Sequence, residues 1–354
     1  MTKQIFCPAT IASLLLLGAC VRGAHEPNEK YVLVAAHTKI PYWQEALAGL
    51  RRAGKEMHVK VDMVGPDRYD PKGEQEAFEE AVADKPSGIL VSPADPNLMT
   101  ADIDSALQNG IPVLTIDSDA PKSKRLFFIG SDNYAAGRLG GQLVASLLAG
   151  KGNVVIFTYP GQANLMERRE GYETVFKGYP GIKVIQAVDI NGEAAVAYQT
   201  AKELLSSKAQ VNAFVCLEAV ACPEVGEAVK DTNTTGKVKI MAMDTDQRTL
   251  NWIQQGLVAA TIVQKPYTMA YVGVRLLDDL HHHQQPSLVT NSKQDASSPY
   301  PAAIFTGTFI VDKDNLNAFI AQNQNRRMGR QSRRLAPADR ADQTEFKAQW
   351  RFSA

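Results

Sequence analysis

From Tyr31 onward the chain alternates two hydrophobic patterns. Short continuous apolar runs, beginning with Tyr31–Ala36, are separated by longer segments in which apolar residues recur every three or four positions. The first of these segments, Trp43–Met57, places Trp43, Ala46, Leu47, Leu50 and Ala53 on one face. Continuous runs predict strands buried on both faces, and the longer period predicts the amphipathic helices that cover them. Further strands are expected at Val59–Val64, Gly88–Ser92, Pro112–Ile116, Leu126–Ile129, Val154–Phe157, Ile182–Ala187, Ala213–Cys216, Lys239–Met243 and Ala259–Val263. Helices are expected at Gln75–Ala83, Ala101–Gln108, Tyr134–Leu148, Met166–Phe176, Ala194–Leu205, Pro223–Lys230, Gln247–Gln255 and Tyr267–Leu280. A loop (Gln284–Pro301), a last strand (Ala302–Val311) and a short helix (Asn315–Ala321) close the series. The pattern predicts an α/β fold of two doubly wound parallel-sheet lobes.

The first twenty residues do not fit this pattern. Lys3 precedes an apolar run, Ile11–Leu17, that falls short of the ~18–20 residues needed to cross a bilayer. The run ends in Leu17-Gly18-Ala19-Cys20, so residues 1–20 are predicted to be a signal peptide. This ending resembles the lipobox of bacterial lipoproteins. The resemblance implies export, lipidation of Cys20 and an anchor on the periplasmic side of a bacterial membrane. Residues 21–30 then form a short tether.

Composition sharpens the picture at the ends of the chain. The 354 residues exceed what one hydrophobic core usually holds, and 45% hydrophobic with 21% charged residues fits a globular protein. Lys plus Arg and Asp plus Glu both total 38, so there is no overall basic footprint and no nucleic-acid partner is expected. The balance is uneven, however. Residues 322–354 carry eight bases against three acids and are expected to be a disordered basic tail, which leaves residues 21–321 with a net charge of −6.

Ligands of doubly wound sheets bind beyond the carboxyl ends of the strands, so candidate chemistry is sought there. No Gly-x-Gly-x-x-Gly follows the first strand and no Walker-type loop occurs, which disfavours a nucleotide enzyme. No nucleophile with a neighbouring base is visible either, so no catalytic residues and no cofactor are expected. Instead, the strand ends carry Tyr42-Trp43, whose flat faces suit a sugar ring, and Asp117-Ser118-Asp119, whose carboxylates accept hydroxyl hydrogen bonds. Asn164 and Arg168 share a helical face, and Asp244, Asp246 and Gln264 follow two later strands. Each alone could be structural. Together they predict one polar rim.

These residues carry a family resemblance. Pro41-Tyr42-Trp43, Ile111–Asp117, Ile129–Asn133, Glu167–Tyr172, Met243-Asp244 and Ala260–Pro266 occur in the order found in ribose-type sugar-binding proteins of bacterial ABC importers. From Tyr31 to Leu316 the chain resembles this type I periplasmic binding protein family. The resemblance implies a ligand set of Tyr42, Trp43, Ser92, Asp117, Ser118, Arg168, Glu218, Asp244 and Gln264. Ser118 stands where the family has arginine, Ile40 where it has asparagine, and Ile190 at an aromatic wall position, which argues against ribose itself. Asp117, Asp119, Glu218 and Asp244 would make the pocket carboxylate-rich, as an amino sugar or cationic polyol would require.

The resemblance further implies a three-segment hinge near Ser131–Asn133, Gln264–Pro266 and Phe305–Gly307. The N-terminal lobe would then comprise residues 31–130 and 265–304, and the C-terminal lobe residues 131–264 and 305–321. The implied partners of such a monomer are a sugar or polyol and an inner-membrane ABC permease. The rival expectation is presentation of the closed form to a chemoreceptor or histidine kinase.

Cys7 lies in the signal peptide, leaving Cys216 and Cys222 as candidates for a small-loop disulfide, with two buried thiols as the alternative. No second Cys or His pair has zinc-ligand spacing, so no metal site is expected. His281-His282-His283 points in three directions from a helix end and is expected to be solvated.

Overall fold

The structure, a computed structural model, describes residues 25–26, 28–283 and 300–323. The predicted signal peptide, Cys7, Cys20, half of the tether, the expected loop up to residue 299 and the tail beyond residue 323 lie outside the described residues.

The first sheet contains β1 (Lys30–Ala35), β2 (Lys60–Val64), β3 (Gly88–Ser92), β4 (Val113–Ile116) and β5 (Phe128–Gly130). Its helices are α1 (Pro41–Met57), α2 (Pro71–Ala83) and α3 (Pro96–Gln108). The chain then builds a second unit from α4 (Asn133–Leu147), β6 (Lys151–Thr158), α5 (Ala163–Phe176), β7 (Gly181–Asp189) and α6 (Ala194–Ser206). It continues through β8 (Ala213–Cys216), α7 (Ala221–Asp231), β9 (Lys239–Met243), α8 (Gln247–Gln255) and β10 (Ala260–Val263). Finally α9 (Pro266–His282) and β11 (Ala303–Phe305) return to the first lobe, and β12 (Phe309–Asp312) ends in the second. Residues 316–323 are helical.

The two sheets have the same plan. Their orders are β11-β5-β4-β3-β1-β2 and β12-β10-β9-β8-β6-β7, with every pairing parallel except β10 with β12. Strands β3, β4, β8 and β10 are buried at every position, as their unbroken apolar runs require. Each lobe has its own hydrophobic core. Met269, Ala270, Val274 and Leu277 of α9 belong to the first core, although α9 follows the whole second lobe in sequence. α9 approaches α1 so closely that a Cβ on Gly49 would lie 2.0 Å from the Tyr267 carbonyl oxygen.

The structure departs from the sequence reading in two places. Four helices begin at a proline, one to five residues before the expected start, and Asp70 and Asp95 cap two of them through backbone amides. The expected single strand Ala302–Val311 is two strands in different sheets. The break falls at Gly307 (φ +77°), where the chain crosses between lobes. The other crossings follow β5 and β10, giving a three-segment hinge. Ser131 Oγ donates to Gln264 Oε1 across two of the segments (2.8 Å), and Thr306 N donates to the Gly130 carbonyl (2.9 Å). Among the described residues no helix is long and apolar enough to cross a membrane.

Candidate ligand-binding cleft

Parallel strands of both sheets deliver their carboxyl ends to one cleft between the lobes, lined by residues that follow β1, β3, β4, β6, β8, β9 and β10. Its cavity is about 60 Å³, and a groove of about 620 Å³ opens beside it along α1, α7 and the start of α9.

The shared sheet order makes β4 and β9 equivalent strands, and each is followed by a buried aspartate in the left-handed region. Asp117 has φ 64° and Asp244 φ 67°. The Asp117 amide donates to the Ile129 carbonyl and the Asp244 amide to that of Ile262, each on the next strand of its sheet. This backbone turn, which aspartate tolerates better than most residues, aims both carboxylates into the cleft.

Arg168 lies between them. Its Nε donates to Asn133 Oδ1 (2.9 Å), Nη1 to the Leu217 carbonyl (2.8 Å) and Nη2 to Gln264 Oε1 (2.8 Å). Nη2 also stands 4.0 Å from Asp117 Oδ1. The guanidinium is therefore fixed by its own lobe and the hinge before anything binds. Gln264 turns its amide nitrogen to Asp244 Oδ1 (3.0 Å), linking arginine and aspartate. Tyr42 does more than offer a ring face: its hydroxyl donates to Asp117 Oδ1 at 2.6 Å, and Trp43 meets its ring edge-on at 5.3 Å.

Burial raises the carboxyl groups here. Asp244 is pushed up to about 7 by desolvation, opposed by Arg168 and Gln264 and reinforced by Asp117 and Glu218. Asp117 and Glu218 are also raised, again chiefly by desolvation.

Of the expected ligand set, Tyr42, Trp43, Ser92, Asp117, Arg168, Glu218, Asp244 and Gln264 all line the cleft. Glu218 is partly committed elsewhere, accepting from the Val220 and Ala221 amides at the start of α7 and from the Tyr159 hydroxyl. Ser118 is a correction. The turn at Asp117 carries it into the protein, fully buried and off the cleft lining. Asp119 also turns away, paired to Arg125 through two 2.7 Å contacts, so the cleft holds three carboxylates rather than four. Of the two alternatives for Cys216 and Cys222, the structure has the free buried thiols, hydrogen-bonded side by side within the second core.

Tyr69 and Tyr159 were missed. Their rings meet across the lobes at 4.6 Å and close one side of the cleft, while Ile190 is buried in the core. Tyr159 directly follows β6, so the strand-end rule could have found it; Tyr69 sits in a loop and gave no such signal. Asn164 crosses the lobes as well, donating to Asp117 Oδ2 at 3.0 Å. Two buried acceptors facing this region, Asn164 Oδ1 and Gln162 Oε1, have no hydrogen-bond partner among the described residues.

A cleft of this kind, between two like lobes on a three-segment hinge, defines a type I periplasmic binding protein. Residues 31–285 match the family model described as periplasmic binding protein domain, and the chain belongs to that family. It is 24% identical to the D-allose-binding periplasmic protein of Escherichia coli over 290 residues, covering 79% of this chain and 92% of the relative. Among solved structures, AraP, an arabinose binding protein from Geobacillus stearothermophilus, superposes with a TM-score of 0.68 at 33% identity, covering 83% of this chain and 99% of AraP. A XylFII–LytSN complex matches with a TM-score of 0.73 at 30% identity, covering 82% and 99% of the two chains.

Proposed function

We propose that this protein is an extracytoplasmic solute-binding lipoprotein that captures a monosaccharide or related polyol and delivers it to the permease of an ABC importer. The observation that carries the reading is the pairing of Asp117 and Asp244, one from each lobe, around an arginine already fixed by three hydrogen bonds. Carboxylates that accept, a guanidinium that donates and the flat sides of Tyr42 and Trp43 complement a ring bearing several hydroxyls. The match to sugar-binding relatives points the same way. Capture is by hinge closure. Contacts such as Asn164 to Asp117 and Tyr69 to Tyr159 exist only when the lobes meet, so the ligand shifts the population toward the closed form, which the permease reads.

Three carboxylates against one arginine also favour a ligand carrying an amine. Thermal shift against pentoses, hexoses, polyols and amino sugars tests both possibilities, because a bound ligand raises the melting temperature by mass action. Arg168→Ala and Asp244→Ala are expected to abolish the shift. If no sugar, polyol or amino sugar moves the transition, the substrate class is wrong. The proposed anchor is tested by Cys20→Ser, which should release the protein from membranes.

The XylFII–LytSN match supports a second reading, in which the closed form is presented to a receptor protein. Deleting the permease while the cellular response to the ligand persists would favour it.

A further inference from the structure

A second convergent cluster lies at the opposite end of the first lobe, where β1 begins and α9 ends. His25 and Glu29 precede β1; Asp278 and His282 are one helical turn apart on α9. One donor atom from each lies within 4.8 Å of all the others. His25 Nε2 is 3.0 Å from Asp278 Oδ1, and His282 Nε2 is 3.1 Å from Glu29 Oε1.

Two observations set this cluster apart from an ordinary ion-pair network. First, His282 Nδ1 is 2.9 Å from the Asp278 carbonyl oxygen. A carbonyl can only accept, so Nδ1 carries a proton. In the neutral ring Nε2 is then an acceptor facing the Glu29 carboxylate, so the contact needs either a second proton on the ring or a metal ion between the two groups. Second, Glu29 is only 2% exposed, and its Oε2 is buried without a hydrogen-bond partner among the described residues. A proton on Nε2 satisfies the His282–Glu29 Oε1 contact but leaves Oε2 unanswered, whereas a metal ion held by both oxygens of the Glu29 carboxylate would answer both.

We propose that His25, Glu29, Asp278 and His282 form a zinc site that fastens the segment before β1 to the end of α9. Two imidazoles and two carboxylates are a tetrahedral zinc donor set, and an ion at about 2.0–2.2 Å from each would hold its donors ~3.4 Å apart, against 3.0 and 3.1 Å for the two contacting pairs and up to 4.8 Å among all four. Outer partners are in place. The Asp278 carbonyl orients His282, and the Tyr31 hydroxyl donates to Asp278 Oδ1 at 3.1 Å. Ligand spacing along the sequence does not reveal this cluster, because His282 and Glu29 are 253 positions apart. The site lies away from the sugar cleft, at the point where the chain enters the lobe.

The test uses the full-length chain purified in detergent, stripped with chelator and titrated with zinc against a chromophoric competitor. One tightly held equivalent is expected, with cobalt giving the visible absorption of a tetrahedral site. His25→Ala and His282→Ala should each weaken zinc binding by at least about 100-fold, while His281→Ala and His283→Ala leave it unchanged. His25 lies outside both hydrophobic cores, so His25→Ala keeps the test valid should a Glu29 variant misfold. No retained zinc, retention indifferent to His25→Ala and His282→Ala, or loss only with His281 and His283 would each overturn the proposal. Sugar-induced thermal shifts should be the same with and without zinc, which separates this outcome from that of the proposed function.

Discussion

Replacing Asp244 by asparagine separates the stability of the cleft from its use. In the folded protein the Asp244 carboxyl titrates at about 7, against 3.8 for an unperturbed aspartate. Between those pH values the folded state holds a proton that the unfolded chain has released. Stability is therefore greatest below about 4 as far as this group is concerned, falls as pH rises toward 7, and then levels off. At about 1.36 kcal/mol per pH unit, the buried charge costs roughly 4 kcal/mol at pH 8 and about 0.5 kcal/mol at pH 4.

Asparagine keeps the oxygen that accepts from Gln264 Nε2 and cannot ionise. Asp244→Asn is thus expected to match the wild type within about 1 kcal/mol at pH 4 and to exceed it by up to about 4 kcal/mol at pH 8. Urea unfolding of both proteins at the two pH values measures the difference. The same variant should bind ligand more weakly at pH 8, because a carboxylate that accepts two hydroxyls becomes an amide with one acceptor. A difference in stability that does not change with pH, or a variant less stable at pH 8, would refute the claim that burial of this carboxylate is costly.

Three other changes probe the scaffold. Gly137→Ala places a carbon 2.0 Å from the Arg168 carbonyl oxygen where α4 crosses α5, so it should cost about 1–3 kcal/mol in denaturant unfolding and weaken ligand affinity by calorimetry as Arg168 moves. Arg125→Ala removes both guanidinium contacts to Asp119, which keeps its hydrogen bond from Thr115 Oγ1, and the contact to the Ala302 carbonyl; it should cost about 3 kcal/mol in urea and leave ligand preference unaltered, because neither Arg125 nor Asp119 lines the cleft. Cys216 and Cys222 should resist alkylation in the native protein and both react after unfolding without reductant; mass spectrometry of the peptides would reveal a disulfide instead.

The parts of the fold that could be read from sequence follow from burial on both faces. Strands such as Ala213–Cys216 are continuous apolar runs because helices cover both sides of the sheet. The same topology makes strand ends meaningful, and so Asp117, Asp244 and Gln264 could be identified without knowing the distances between them. The structure adds that Asp117 and Asp244 end equivalent strands of two like sheets in the same left-handed turn.

What sequence could not supply were facts that depend on where the chain goes after leaving a strand. Ser118 adjoins Asp117 yet faces inward, because a residue with φ 64° reverses the direction of its neighbour. Tyr69 and Tyr159 meet only when the lobes do, and His25 reaches His282 only because α9 returns to the first lobe. Closure and the zinc cluster thus depend on the same property, a chain that crosses the hinge three times. A hinge built this way leaves α9 and β11 on the first sheet's side and β12 on the second's, so closing cannot separate α9 from β1. The cluster of His25, Glu29, Asp278 and His282 should accordingly keep its geometry whether the cleft is open or closed, and zinc and sugar should bind without affecting one another.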